Sequence, residues 1–196
     1  HLSLRRQRQM CIRDSYAANG TADTSYGTNG SVAIRGSVRR NNVGLDGDGR
    51  LVVGQLLTEP VENPLMTPRI LRFDTRGRGD RVFAMNGVAL PVGQNVYNSY
   101  IRGVVVRSDG TISARVGDVI MRLRADGSAD STFDEDGRAQ PTAAVGSLLG
   151  ELGDGTLLTD SRTLNGRAAA GIARLVGQPD VSQSADGALV IYGSPN

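Results

Sequence analysis

One sixteen-residue stretch, Arg122–Gly137 (RLRADGSADSTFDEDG), has two further copies, and this similarity limits the fold more than any other feature. In each copy a turn Gly is followed after three residues by an Asp, then by an aromatic residue and a second Gly. The aligned copies are Tyr16–Gly30, Phe73–Gly87 and Leu123–Gly137, and their turn glycines are Gly20, Gly77 and Gly127. The spacing between turn glycines, 57 residues and then 50, is typical of a solenoid, propeller or array.

Each position of this signature has a structural role that its residue type can fill. Gly supplies the positive φ at which a chain reverses, and an Asp just after a reversal can accept hydrogen bonds from backbone N–H groups. One large aromatic side chain per copy can fill the gap between neighbouring units. The Asp residues are Asp23, Asp80 and Asp130, and the aromatic residues are Tyr26, Phe83 and Phe133. We therefore predict structural roles for all three.

A second recurring element, an apolar strand on each side of Asp-Gly, predicts β-hairpins. It occurs at Val43–Gln55, Val104–Val116, Leu149–Asp160 and Ser182–Gly193, with turn glycines at Gly49, Gly110, Gly155 and Gly187. Asp-Gly between such strands favours a two-residue type I′ turn, which has positive φ at both positions. In the second unit we predict strands at Gly87–Val92, Tyr100–Arg107, Thr111–Val116 and Val119–Arg124. No segment has a sustained helical period, and 26 Gly in 196 residues disfavour long helices.

The segments Arg122–Phe133 and Ala18–Gly30 resemble the delta-60 repeat family of bacterial proteins, and the similarity extends over residues 16–196. The resemblance implies a β-propeller, in an exported or surface-associated protein, and brings no catalytic residues. Four strands in about 50 residues also match one propeller blade. The predicted fold class is all-β, a partial β-propeller of about three four-stranded antiparallel blades plus the start of a fourth. The predicted units are about 16–79, 80–129, 130–179 and a partial unit 180–196.

The last unit departs from the pattern. Val176–Asp180 is two residues shorter than its counterparts, and Gln183 stands where the aromatic residue is expected. Either an irregular unit closes the propeller here, or the reading frame was cut again.

The first fifteen residues, HLSLRRQRQMCIRDS, have a composition unlike the rest. The run RQRQMCIRDS resembles translated sequencing-adapter read-through, and Ser15 stands where the later copies have Arg72 and Arg122. We predict that residues 1–15 are foreign. The alternative, a basic targeting peptide, lacks an apolar core and a cleavage-like site.

Removing these fifteen residues changes the charge and the available chemistry. They carry four Arg and one Asp, so the whole-chain net charge of +2 becomes 18 Arg against 19 acids, or −1. We therefore expect no nucleic-acid partner. The only Cys and the only His lie in this stretch, and the whole chain has no Lys. This excludes a Ser-His-Asp triad, a Cys-His pair, a zinc site and a Schiff base from residues 16–196. No apolar run is long enough to span a membrane.

Two kinds of motif could suggest binding, and both have simpler explanations. Arg78-Gly79-Asp80 spells the adhesion tripeptide, but Asp80 is the signature Asp, so we attribute the match to chance. Asp46–Gly49 and Asp134–Gly137 partly resemble calcium loops, although Gln55 and Ala143 stand where the bidentate Glu is required. We assign both to turn formation and predict no metal site.

Two features remain as candidates for function. Residues 16–196 contain four Glu, at Glu59, Glu62, Glu135 and Glu151, and nothing in the sequence marks two of them as a catalytic pair. The loop Thr58–Pro68 (TEPVENPLMTP) is the one irregular insertion, and it is either a recognition loop or a solvated surface loop.

We expect a non-catalytic repeat scaffold or binding module, a fragment of a larger exported bacterial protein, located in the secreted or cell-surface fraction. A protein or glycan ligand is left open, and no catalytic, cofactor or metal residue is assigned. The alternative is a propeller-based enzyme, such as a glycan-processing one, whose catalytic groups lie mostly in a missing upstream part.

Overall fold

The computed structural model describes residues 10–58, 66–90, 99–141, 145–164, 167–175, 179–183 and 189–193. These residues form β-strands and turns, with no helix among them. Among these residues the predicted all-β fold is confirmed, and two of the four sheets consist of four antiparallel strands.

The strands are grouped into four sheets. The first contains β1 (Met10–Asp14) and β2 (Ser31–Arg35). The second contains β3 (Ser37–Leu45), β4 (Leu51–Thr58), β5 (Met66–Phe73) and β6 (Val88–Ala89) in chain order. The third contains β7 (Ile101–Val106), β8 (Ile112–Val116), β9 (Val119–Leu123) and β10 (Arg138–Ala139), again in chain order.

The fourth sheet has five strands: β11 (Val145–Glu151), β12 (Leu157–Leu164), β13 (Arg167–Leu175), β14 (Pro179–Gln183) and β15 (Leu189–Gly193). Their order is β11-β12-β13-β15-β14, and β15 is parallel to β13. The predicted final hairpin is present as β14–β15. Only residues 176–178 separate β13 from β14. The signature loops that precede β6 and β10 have fourteen residues each (74–87 and 124–137), so no such loop fits here. The hairpin therefore follows β13 without such a loop.

Each signature stretch is a loop that reverses the chain between two antiparallel strands. Of the strand predicted at Gly87–Val92, Val88–Ala89 is observed as β6, and residues 91–92 lie outside the described part of the chain. This strand pairs with β5 of the second sheet and not, as predicted, with the strands of the following unit. Likewise β10 pairs with β9. The strand that follows a signature loop therefore completes the sheet before the loop, because the loop returns the chain antiparallel to the strand that it leaves.

The Asp-Gly turns differ from the predicted type. Gly49, Gly110 and Gly155 have φ of +77°, +87° and +85°, but the Asp before each of them does not have positive φ. The type I′ prediction was therefore wrong. In the first turn the N–H of Gly49 donates to the Asp46 carbonyl, and the N–H of Asp46 donates to the Arg50 carbonyl. This pattern is a longer hairpin loop that ends in a Gly in the left-handed region. The predicted turn Gly187 lies outside the described residues.

The second sheet contacts the third through β3 and β7, and the third contacts the fourth through β7 and β11. All three strands have irregular pairing, which in β3 falls between Val38 and Val43. At two glycines the backbone of the second sheet lies directly against valine side chains of the third. A Cβ added at Gly44 would lie 2.7 Å from Val106 of β7, and one at Gly54 would lie 2.8 Å from Val104. Glycine is therefore required where these sheets meet.

The signature aromatic Phe83 is the largest fully buried side chain among the described residues, and it belongs to the main hydrophobic core with Val52, Ile70 and Ile101. It packs against Gly127, the turn Gly of the next signature loop. Beside it the N–H of Ala84 donates to the carbonyl of Asp126 at 2.7 Å. The predicted role of this aromatic residue between neighbouring units is confirmed for Phe83. Tyr26 and Phe133 are only partly buried.

The strand before the first signature loop is formed by Met10–Asp14, within the stretch predicted to be foreign. At the position of Arg72 and Arg122, Ser15 makes the same two backbone bonds: its N–H donates to Gly30, and its carbonyl accepts from Asp23. Backbone pairing of this kind does not depend on the side chain. The foreign origin of residues 1–15 stays a prediction.

Replacing Gly127 with Ala tests the packing on Phe83. An added Cβ would lie 2.9 Å from the Phe83 ring, and the φ of +86° adds backbone strain. Gly20, at the same signature position, is the matched control because it has φ +82° and no atom within 4 Å. We expect Gly127→Ala to lower the free energy of unfolding by about 2–4 kcal/mol and Gly20→Ala by about 1 kcal/mol. Urea denaturation measures both, and equal losses would contradict the packing role.

Candidate functional site

The signature Asp residues bond within their own loops. The Oδ1 atoms of Asp23, Asp80 and Asp130 accept the backbone N–H of the residue two positions later, at 3.1, 3.2 and 3.2 Å. The predicted loop-holding role of this Asp is confirmed. Hydroxyl groups add to it in two loops, and the hydrogen bond from Ser25 is the main reason that the pKa of Asp23 lies below its ordinary value.

The adhesion-like tripeptide Arg78-Gly79-Asp80 does not present its carboxylate to solvent. Asp80 is buried, and its Oδ2 accepts from Nε of Arg72 at 2.8 Å. Arg72 is buried as well and also donates to the carbonyl of Ala125 in the next signature loop. The carboxylate of Asp80 therefore holds a buried ion pair and is not placed to meet a receptor.

The carboxylates of the calcium-like segment Asp46–Gly49 are bound to Arg50. The side chain of Asp46 is 1% exposed, and its Oδ2 lies 2.7 Å from Nε of Arg50, while Oδ2 of Asp48 lies 2.8 Å from Nη2. Burial by itself would raise the pKa of Asp46, but the hydrogen bonds from Arg50 and the backbone N–H groups lower it overall. Arg50 thus occupies the place that a cation would take.

The second calcium-like segment is a tight turn. Asp134 and Glu135 both have positive φ, and Asp136 accepts the N–H of Arg138 at 2.9 Å. Among the described residues, no three His, Cys, Asp or Glu side chains lie close enough together to hold a metal ion.

Several sequence candidates fall outside the described residues or span their limits. Glu59 and Glu62 lie in the undescribed range 59–65, so most of the Thr58–Pro68 loop cannot be placed. Within the described part of the chain, no helix has the length and apolar character needed to cross a membrane.

Two signature loops place an arginine over their aromatic ring. The guanidinium carbon of Arg72 lies 4.5 Å from the centroid of Phe83, and that of Arg122 lies 4.4 Å from the centroid of Phe133. A guanidinium at this distance over a ring face is favourable electrostatically. The remaining bonds of the two arginines differ, because Arg72 pairs with Asp80 of its own loop and Arg122 bonds into the next sheet.

Glu151 is the centre of a buried polar cluster between the third and fourth sheets. Its side chain is 2% exposed, and Oε1 lies 3.0 Å from both Nη1 of Arg107 and Nη2 of Arg122. Oε2 accepts from the hydroxyl of Ser113 at 3.2 Å. The sequence alone could not assign a partner to Glu151, because the residues that bond to it are 29 to 44 residues away along the chain. This glutamate joins sheets and is not free to act as an acid or base.

A cleft of about 490 Å³ lies beside the turn between β8 and β9 and is bordered by β10. Its polar lining includes Ser99, Asp118, Asp136, Arg138 and Gln140. Asp118 is 88% exposed and lies 3.4 Å from Nη2 of Arg115. The Nε of Arg138 is buried and has no hydrogen-bond partner among the described residues. Sequence analysis missed this cleft, because its residues come from separate segments of the chain that only the folded structure brings together.

Comparison with protein-family models, curated proteins and solved structures found no match. The resemblance to the delta-60 repeat family stays a prediction from the sequence.

Replacing Asp46 with Asn tests the linkage between this turn and pH. Because the pKa of Asp46 is lowered in the folded state, its stabilising effect is present above about pH 4 and is lost as pH falls through the folded pKa. We expect Asp46→Asn to be less stable at pH 7 and to lose less stability than the parent between about pH 5 and pH 2. Asp48→Asn, whose carboxylate is 73% exposed, is the control and should change little. An unchanged pH profile for Asp46→Asn would contradict this role.

Replacing Glu151 with Gln tests the polar cluster between the sheets. The change removes the charge that Arg107 and Arg122 share, so we expect the free energy of unfolding to fall by about 2–4 kcal/mol. Glu135→Gln is the matched control, because Glu135 is exposed and should cost less than about 0.5 kcal/mol. Chemical denaturation compares the two, and similar losses would show that the cluster contributes nothing to stability.

Proposed function

We propose that this chain is part of a non-catalytic repeat scaffold or binding module, within a larger exported bacterial β-propeller protein. The observation that carries the proposal is the pairing of three buried carboxylates with arginine. Asp46, Asp80 and Glu151 are each bonded to arginine inside the fold. Carboxylates neutralised in this way stabilise sheets and turns, and they are not available as a nucleophile or a general base.

In the proposed propeller, β3–β6 and β7–β10 are successive four-stranded blades. The contacts between β3 and β7, and between β7 and β11, support this arrangement, since neighbouring blades must pack face to face. The signature aromatic and the facing Gly would then form the contact between blades, as Phe83 and Gly127 do. The sequence resemblance supports the family and its exported location.

The rival function is an enzyme, and one observation favours it. Asp118 and Asp136 line the same cleft, and paired carboxylates in a cleft are the groups that glycosidases use. Asp136 bonds to the backbone N–H of Arg138, and Asp118 lies near Arg115. Both carboxylates thus already have partners within the protein, which argues against their acting together as a catalytic pair.

Incubation of the 196-residue chain with a panel of polysaccharides tests the proposal. We expect no new reducing ends, and the variant Asp118→Asn/Asp136→Asn should behave like the parent chain. Reducing ends that appear with the parent and disappear with this variant would establish the enzyme in place of the scaffold.

A further inference from the structure

Two neighbouring signature loops carry opposite charges on their exposed side chains. We call Phe73–Gly87 the basic loop and Leu123–Gly137 the acidic loop. The exposed charged residues of the basic loop carry +3 and are Arg76, Arg78 and Arg81. Those of the acidic loop carry −2 and are Arg124, Asp126, Glu135 and Asp136. The net charge of −1 over residues 16–196 conceals this local separation of charge.

Direct contacts join the two loops side by side. The backbone N–H of Ala84 in the basic loop donates to the carbonyl of Asp126 in the acidic loop at 2.7 Å. Next to this bond, the ring of Phe83 packs on Gly127. These two contacts fix the position of one loop relative to the other. The positive and the negative charges are therefore adjacent at the surface.

The arginines of the basic loop are not neutralised within the described part of the chain. The guanidinium groups of Arg76, Arg78 and Arg81 form no ion pair and donate no hydrogen bond there. The nearby carboxylate of Asp74 accepts instead from the backbone N–H groups of Arg76 and Arg78, at 2.9 and 2.8 Å. These three positive charges are therefore available to a partner from outside.

The basic loop also exposes two large apolar side chains. Val82 is 77% exposed and Met85 is 74% exposed. At the same two positions the first signature loop has Ser25 and Thr28, so the loop does not require apolar residues there. Two exposed apolar side chains within one loop, surrounded by unpaired charges, are typical of a protein interaction surface.

The acidic loop offers the complementary groups. Its aromatic residue Phe133 is only partly buried, whereas Phe83, at the same position of the basic loop, is fully buried. No signature loop follows β13 to bring a turn Gly against Phe133, as Gly127 is brought against Phe83. The ring can accept a thioether contact, which is favourable at its edge. The exposed carboxylates of the same loop can pair with arginine.

We propose that the basic and acidic loops form an interface with a second copy of this chain. A two-fold axis between the loops would place the basic loop of each copy against the acidic loop of the other. Arginines would then meet carboxylates at two places, and Val82 and Met85 would meet the ring of Phe133. This inference goes beyond the proposed scaffold and does not depend on it.

The arrangement of charge selects a second copy over other partners. Nucleic acid, an acidic polysaccharide and an anionic membrane surface carry one sign of charge throughout. Each of them would be attracted by the basic loop and repelled by the acidic loop that is bonded to it, because like charges placed opposite each other are unfavourable. A second copy, rotated by the two-fold axis, presents both signs in the reversed order.

Sedimentation velocity of the full chain over a range of concentrations tests the inference. We expect a reversible monomer–dimer equilibrium with a Kd of about 1–100 µM, since an interface made by two loops is small. Added salt should weaken it. Val82→Ser/Met85→Thr introduces the residues of the first signature loop and should raise the Kd at least about tenfold. Leu149→Ser, which changes a half-exposed apolar residue of β11, is the matched control and should change the Kd by less than about twofold.

Charge reversal tests which loops face each other. Arg78→Glu/Arg81→Glu brings the exposed charge of the basic loop to −1, and Glu135→Arg/Asp136→Arg brings that of the acidic loop to +2. Each variant alone should be monomeric, because its two loops then carry the same sign. An equimolar mixture of the two variants should form a heterodimer, because opposite signs meet again at both places. Urea denaturation shows whether each variant is folded.

Several results would overturn the inference. They are a parent chain that stays monomeric up to about 100 µM, equal effects of the apolar double variant and Leu149→Ser, and folded charge variants that dimerise alone or fail to associate when mixed. A monomeric parent that binds phosphatidylserine vesicles would assign the basic loop to a membrane instead. The scaffold proposal is unaffected by any of these results, because it fails only if a polysaccharide is cleaved.

Discussion

The packing of Phe83 on Gly127 is the contact on which the rest of the structure depends. It buries a whole aromatic ring between one signature loop and the next, and only Gly leaves room for that ring. The adjacent bond from Ala84 to Asp126 aligns the two loops. Because each loop also joins the last two strands of its sheet, a contact between loops positions whole sheets relative to each other.

Arginine forms the buried ion pairs that stabilise this chain, which contains no lysine. Arg50 closes a hairpin turn, Arg72 pairs with Asp80 beneath a signature loop, and Arg122 reaches Glu151 in the next sheet. A planar guanidinium can stack on a ring and donate several hydrogen bonds at once. The same residue type therefore closes a turn, holds a signature loop and joins two sheets.

Sequence reasoning succeeded where a structure depends on neighbouring residues. The strands at β7, β8 and β9 and the bonds of Asp23, Asp80 and Asp130 could be predicted, since each requires only local residue types and spacing. The turn type was mistaken because Asp before Gly is compatible with two hairpin loops. Its side chain bonds the N–H two residues on, as Asp109 does with Thr111, and this stabilises the longer loop.

The spacing of Gly, Asp and aromatic residues by itself determined the all-β class, the hairpin positions and the structural role of the signature. The tertiary structure decided which charged side chains are paired within the fold and which stay exposed. Arg72 and Arg122 occupy the same signature position, yet one bonds Asp80 eight residues away and the other bonds Glu151 across a sheet boundary. Arg39 came to lie over the ring of Tyr100 only when β3 packed on β7. Electrostatic energy depends on distance in space, which sequence separation does not give.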